Sequence, residues 1–167
     1  MPLIKDGRVI PDPWSAVGDD APLPATGAVI VTLPRFRAET QALWGRGAPL
    51  GVRLKSSELA HEIGAYSGQF GLIALDFQTF RDGRPYSTAR LLRQRWGFTG
   101  ALRAVGDVLR DQFLFMYRCG FDAFEVADHR AVDGWRKAMA EFSVFYQTAA
   151  DGRMPAGALR DVRRAAE

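Results

Sequence analysis

From residue 28 onward, short apolar runs alternate with longer stretches of helical period, the rhythm of successive βα units. The runs fall at 28–33, 51–54, 72–77, 102–105 and 124–127. Between them, apolar residues recur at helical spacing, first at Phe36, Ala42 and Leu43, then at Leu59, Ile63 and Tyr66 with Ser57 as an N-cap. A third helix over 85–96 places Tyr86, Ala89, Leu92 and Trp96 on one side. A fourth over 108–119 turns Val108, Gln112, Phe115, Met116 and Cys119 inward. A fifth over 131–147 aligns Ala131, Trp135, Ala138, Phe142 and Phe145, the clearest amphipathic pattern in the chain.

A single helical crossover returns the chain in its original direction, so strands separated this way are mostly parallel. The expected fold is α/β, with about five βα units on a mostly parallel sheet. An open, doubly wound sheet is preferred over a partial barrel, because a closed eight-unit barrel takes about 250 residues and the chain has 167. Residues 1–27 carry Pro2, Pro11, Pro13, Pro22 and Pro24 and read as an arm outside the central sheet, with a short hairpin turning at Asp6-Gly7. Residues 28–148 then make one α/β domain. Residues 149–167, rich in Ala, Gly and Arg, make a surface tail.

Composition narrows the function. An apolar fraction of 47% with 25% charged residues fits a globular chain with a real core. One cysteine, Cys119, and two histidines, His61 and His129, exclude an internal disulfide and any multi-cysteine metal or iron–sulfur site. Cys119 reads as a small core residue rather than a nucleophile; of the histidines, His129, just after a strand, is the better site candidate. No apolar run approaches the ~20 residues of a membrane span and no leader pattern opens the chain, so the cytoplasm is expected. The 22 basic residues against 19 acidic ones leave +3, and only Lys5, Lys55 and Lys137 are lysines. That excess is too slight and scattered for a nucleic-acid stripe, and no nucleic-acid partner is expected. The arginines reflect either genomic composition or recognition of anions by the planar guanidinium fork.

Ligands of such folds bind where strand carboxyl ends meet the following loops. The richest loop follows the third run, where Asp82-Gly83 offers a turn and Pro85 suits a first helical turn, so Arg81, Arg84 and Ser87 surround a helix N-terminus. Free N–H groups and partial positive charge make that an anion site. Arg90 shares a side of that helix with Ser87, Arg93 sits nearer its apolar edge, and Arg103, Asp107 and Asp111 add charges from the next unit. Arg81, Asp82, Arg84, Ser87, Arg90, Arg93, Arg103, Asp107 and Asp111 are thus the candidate ligand-binding residues. The alternative is that they only pair with one another, and Asp107 with Asp111 fits a solvated network better than an acid–base pair. No catalytic residue is identified. Dinucleotide loop, phosphate loop, nucleophile elbow and zincin motif are all absent, so no flavin, nicotinamide or metal cofactor is expected.

The residues Phe80-Arg81-Asp82-Gly83-Arg84, Ser87, Ala89-Arg90-Leu91-Leu92-Arg93, Gly97-Phe98, Gly100, Leu102-Arg103-Ala104-Val105-Gly106-Asp107-Val108-Leu109, Asp111-Gln112 and Gly120-Phe121-Asp122 resemble a bacterial family, domain of unknown function nine-three-four. The resemblance is strongest over 72–124. It departs at Phe77-Gln78, where members carry Phe-Pro. Members are labelled oxidoreductases of assimilatory sulfite reduction, and the resemblance implies a place beside sulfite reductase without assigning a catalytic residue. Two functions follow: an accessory protein docking on sulfite reductase or its electron donor, or a small-molecule enzyme holding an oxyanion in the arginine-rich loop. The enzyme requires Arg81, Arg84, Arg90 and Asp107 to converge. The docking protein requires an exposed apolar patch near Trp14, Trp44 or the fifth helix.

Overall fold

Alternation along the strands sorts the side chains onto two unequal faces. In the computed structural model, which describes residues 1–128 and 130–165, the strands are β1 Leu3–Lys5, β2 Arg8–Ile10, β3 Trp14–Ala16, β4 Ala28–Thr32, β5 Leu50–Leu54, β6 Leu72–Phe77, β7 Ala101–Gly106 and β8 Ala123–Glu125. Val29, Val31, Val52, Leu54, Ile73, Leu75, Phe77, Leu102 and Ala104 point to one face, into the main core. Helices α1 Leu33–Gly45, α2 Arg84–Gln94, α3 Phe113–Arg118 and α4 Ala131–Ala140 all cover that face, supplying Phe36, Leu43, Ala89, Leu92, Phe113, Met116 and Ala138. The opposite face keeps only a small cluster of Ile30, Leu72, Ala74 and Val105, against which Trp14 and Ala101 pack.

The strand order is β2-β1-β8-β7-β6-β5-β4-β3. β3 to β8 are parallel and adjacent in chain order, whereas β1 runs antiparallel to both β2 and β8. The order never reverses among the parallel strands, so every crossover packs its helix on the same face and the sheet curls into a half-barrel. The expected mixed, mostly parallel α/β class stands; the switch point of a doubly wound sheet is not seen. Curvature also follows from chain length. Four Cα steps join Ile10 to Trp14, a reach of about 15 Å, yet β2 and β3 are opposite edges of a sheet that laid flat would span about 34 Å.

The N-terminal arm therefore corrects one expectation, because it belongs to the sheet. Leu3, Ile4 and Lys5 pair with Glu125, Phe124 and Ala123, and Trp14, Ser15 and Ala16 pair with Ala28, Val29 and Ile30. Between these edges Asp12 lies across the concave face, where its carboxylate receives Arg103 Nη1 and Nη2 at 2.7 and 2.8 Å. Arg103 has room for its guanidinium because its register neighbours are Ala74 and Ala123.

Three expected helices are shorter or different. In place of the second α-helix stand two 3-10 turns, Ala60–Glu62 and Gly64–Gln69, with Leu59 and Ile63 at their caps and Tyr66 in the second. Gly64 lies so close under the Trp96 indole that a Cβ would stand 2.2 Å from the ring, and Gly64 and Gly68 weaken helical preference. The fourth opens as a 3-10 turn, Arg110–Gln112, before α3. The fifth ends at Ala140, because Phe145 leaves the helical path to lie flat on the Arg118 guanidinium, 3.7 Å from the ring centroid. The C-terminal segment carries α5, Ala156–Ala165, with no buried residue. No helix among the described residues is long and apolar enough to cross a membrane. His129 lies outside the described residues.

Candidate functional site

The carboxyl ends of β6 and β7 are fastened to each other through the loop that leads into α2. Gly106, at φ +88°, turns the chain under Phe77, where a Cβ would meet the Phe77 carbonyl oxygen at 2.5 Å. Asp107 N–H then donates to the Phe77 carbonyl at 2.8 Å, its Oδ2 accepts Phe80 N–H at 3.0 Å, and Gln112 Nε2 donates to the Phe80 carbonyl at 2.9 Å. Asp107 is thus a loop fastener.

The N-terminus of α2, expected to hold an external anion, holds Asp82. Its Oδ1 accepts the Arg84 N–H at 3.1 Å and Nε at 2.9 Å, and its Oδ2 accepts Nη2 at 2.6 Å. Hydrogen bonds from Arg84, then Ser56, keep the Asp82 carboxyl well below the usual carboxylate range. Arg84 Nη2 also reaches Ser56 Oγ at 3.3 Å. The protein's own carboxylate occupies the place where a sulfite or phosphate would sit.

The other candidate arginines diverge. Arg81 lies over the Phe80 ring at 5.4 Å, on the surface. Arg93 is structural: Nε donates to the Gly120 carbonyl at 2.9 Å and Nη1 to those of Phe98 and Gly100 at 2.6 and 2.9 Å. Its Nη2 faces Asp122 at 3.4 Å, and burial draws its pKa down against that carboxylate. Arg103 lies on the concave face with Asp12, away from the loop. Asp111 is exposed on its 3-10 turn. Ser87 joins Arg84, Thr88, Leu91, Arg95 and Trp96 around a cleft of about 370 Å³. Arg90 belongs to a different cleft, and its Nε donates to Gln94 at 3.0 Å. The four residues that an oxyanion enzyme would gather, Arg81, Arg84, Arg90 and Asp107, serve separate local roles.

Sequence reasoning passed over the cleft that holds Arg90. It measures about 420 Å³ and is walled by Tyr86, Phe115, Arg118, Cys119 and Thr148. It also passed over the pair of Arg53 and Asp76, 2.8 Å apart on adjacent strands. The signal for that pair was present, since an Arg or Asp inside an apolar run calls for a partner. Among the described residues, no group of three or more His, Cys, Asp or Glu side chains could hold a metal ion.

The apolar surface gathers at the C-terminal end. Phe145 pairs with Pro155, and Ala156 N–H donates to the Phe145 carbonyl at 2.7 Å, so the two segments run side by side. With Phe145 turned toward Arg118, extended-chain alternation sends Val144 and Tyr146 outward, and Tyr146 is 88% exposed. Phe142, Met154 and Val162 are exposed nearby in sequence. Val144, Ala156 and Leu159 border a groove of about 350 Å³ edged by Arg160, Arg163 and Arg164.

No curated protein matches the chain. One family model, described as "Bacterial protein of unknown function (DUF934)", matches residues 51–157, a span that holds β6 to β8, all but the first residue of β5, α2 to α4 and the whole Asp82–Arg84 loop. The chain belongs to that bacterial family of unknown function.

Proposed function

We propose that this protein is an accessory protein that docks on a partner through the apolar, arginine-edged face of its C-terminal segment. The observation that carries this reading is the groove beside Val144 and Leu159, with Tyr146 exposed next to it and three arginines along its rim. Exposed apolar area of this kind favours burial against another protein, and the arginines select an acidic one. The family resemblance names the partner class: sulfite reductase or its electron donor, which would put the chain in the cytoplasm.

Binding of the purified chain to purified sulfite reductase, and separately to its electron donor, tests the proposal. One of the two should bind with a micromolar Kd that weakens as salt rises. Val162→Asp and Arg163→Glu should each weaken binding by about tenfold or more, since both sit on an exposed helix outside the core. Binding of neither protein, or binding indifferent to both substitutions, would overturn it. The second reading, an oxyanion enzyme at the β6–α2 loop, draws support from Arg84 and Ser87 lining their own cleft. It requires Arg84→Ala, and not the docking variants, to abolish growth on sulfite.

A further inference from the structure

Going beyond the docking role, we propose that the cleft between α2 and α3 binds a small organic anion, an oxyacid group carried on an apolar body. Arg90 enters from α2 and Arg118 from the end of α3, while Tyr86, Phe115 and Cys119 give the cleft an apolar wall. Its volume, about 420 Å³, is within the range of small-molecule sites.

Its polar lining is rich in donors and contains no carboxylate. Among the described residues, Arg90 spends only Nε, on Gln94. Arg118 donates Nη2 to the Gln147 carbonyl at 2.8 Å, while its Nη1 is buried without a hydrogen bond, 3.5 Å from Asp151 Oδ2. Burial, followed by charge at Cys119 and Asp111, pushes the Tyr86 hydroxyl up to about 12, so it stays a donor at neutral pH. Thr148 adds another hydroxyl. Behind the wall, Asp151 also faces Arg153 at 3.8 Å, so three guanidiniums stand against Asp151 and the more distant Asp111. An incoming anion would meet a positive field and the unspent donors of Arg90, Tyr86 and Thr148, and its apolar body would cover Phe115, which is 62% exposed.

Cys119 is the only cysteine of the chain and lines this cleft, so its alkylation reports on the site alone. The thiolate displaces iodide from either iodoacetate or iodoacetamide, two reagents of similar size and different charge. The iodoacetate-to-iodoacetamide rate ratio should be about fivefold higher in the folded protein than in the same chain in urea. Arg90→Gln should return it towards the unfolded value, with the fold verified by circular dichroism, and Arg136→Gln, exposed on α4, should leave it unchanged. Phenyl phosphate should protect Cys119 and bind in calorimetry at about 1 mM or tighter, with inorganic phosphate needing about tenfold more. A ratio equal to that of the unfolded chain, a ratio indifferent to Arg90→Gln, phosphate matching phenyl phosphate, or no calorimetric binding by about 10 mM would each overturn the proposal.

Discussion

Replacing Asp12 by Ala strands a guanidinium on the concave face of the sheet. The Arg103 side chain is 3% exposed and bonded to both Asp12 oxygens, and Arg103 Nε is buried without a partner, so little else can take up the charge. Removing one partner of a buried pair costs about 3–5 kcal/mol. Asp12 is itself 31% exposed, so water already screens its side of the pair, and the low end, about 3 kcal/mol, is expected. For a chain of this size that lowers Tm by about 6–12 °C. Arg103→Met alone should cost less, because methionine fits between Ala74 and Ala123, and the double variant should recover about 2 kcal/mol of the Asp12→Ala loss. The measurement is urea unfolding followed by circular dichroism at several pH values. Burial raises the Asp12 pKa, but hydrogen bonds from Arg103 and the Trp14 N–H, with the charge of Arg103, outweigh it and hold the carboxyl below its usual 3.8. The pair's contribution is therefore full above about pH 4 and lost as pH falls through the lowered folded value. Asp12→Ala should remove that part of the acid dependence. A loss under about 0.5 kcal/mol, or additivity in the double variant, would refute the reasoning.

Two further substitutions test the supports of the site. Arg93→Met strips the Gly120, Phe98 and Gly100 carbonyls of their donor and should cost about 2–4 kcal/mol in urea unfolding. Gly106→Ala forces a Cβ onto the Phe77 carbonyl at a positive φ, and a fall in stability of about 2 kcal/mol or more is expected in the same assay.

The central strands were legible because each is a buried apolar run, and β4 to β8 lie within two residues of the runs marked in the sequence. In the arm the hairpin at Asp6-Gly7 was legible, but its place in the sheet was not, because the prolines that mark it as irregular also precede Trp14–Ala16, and its partners lie far along the chain: Leu3 pairs with Glu125 and Asp12 with Arg103. Strand order was equally hidden, since local pattern fixes where a strand lies in the chain and not which neighbour it meets. In the candidate site, the turn at Asp82-Gly83 was readable, but the identity of the anion was not, because Asp82 reaches the helix N-terminus only through its own side chain. The helical spacing of Phe142 and Phe145 misled for a related reason. Phe145 packs on Arg118, a contact that no local period encodes.

The earliest-made strand completes the sheet last. β1 is made before the other strands described here, yet its antiparallel neighbour β8 ends at Glu125, so about 120 residues must follow it before the two can pair. Until then Trp14, on β3 beside β4, packs on Ile30, Leu72, Ala74 and Val105, but residues 1–12 are not fastened across the face and Asp12 is not held at Arg103. The concave face is thus closed only once β8 is made, and refolding should be limited by the return of residues 1–12, a long-range closure that makes folding slow relative to the chain's size.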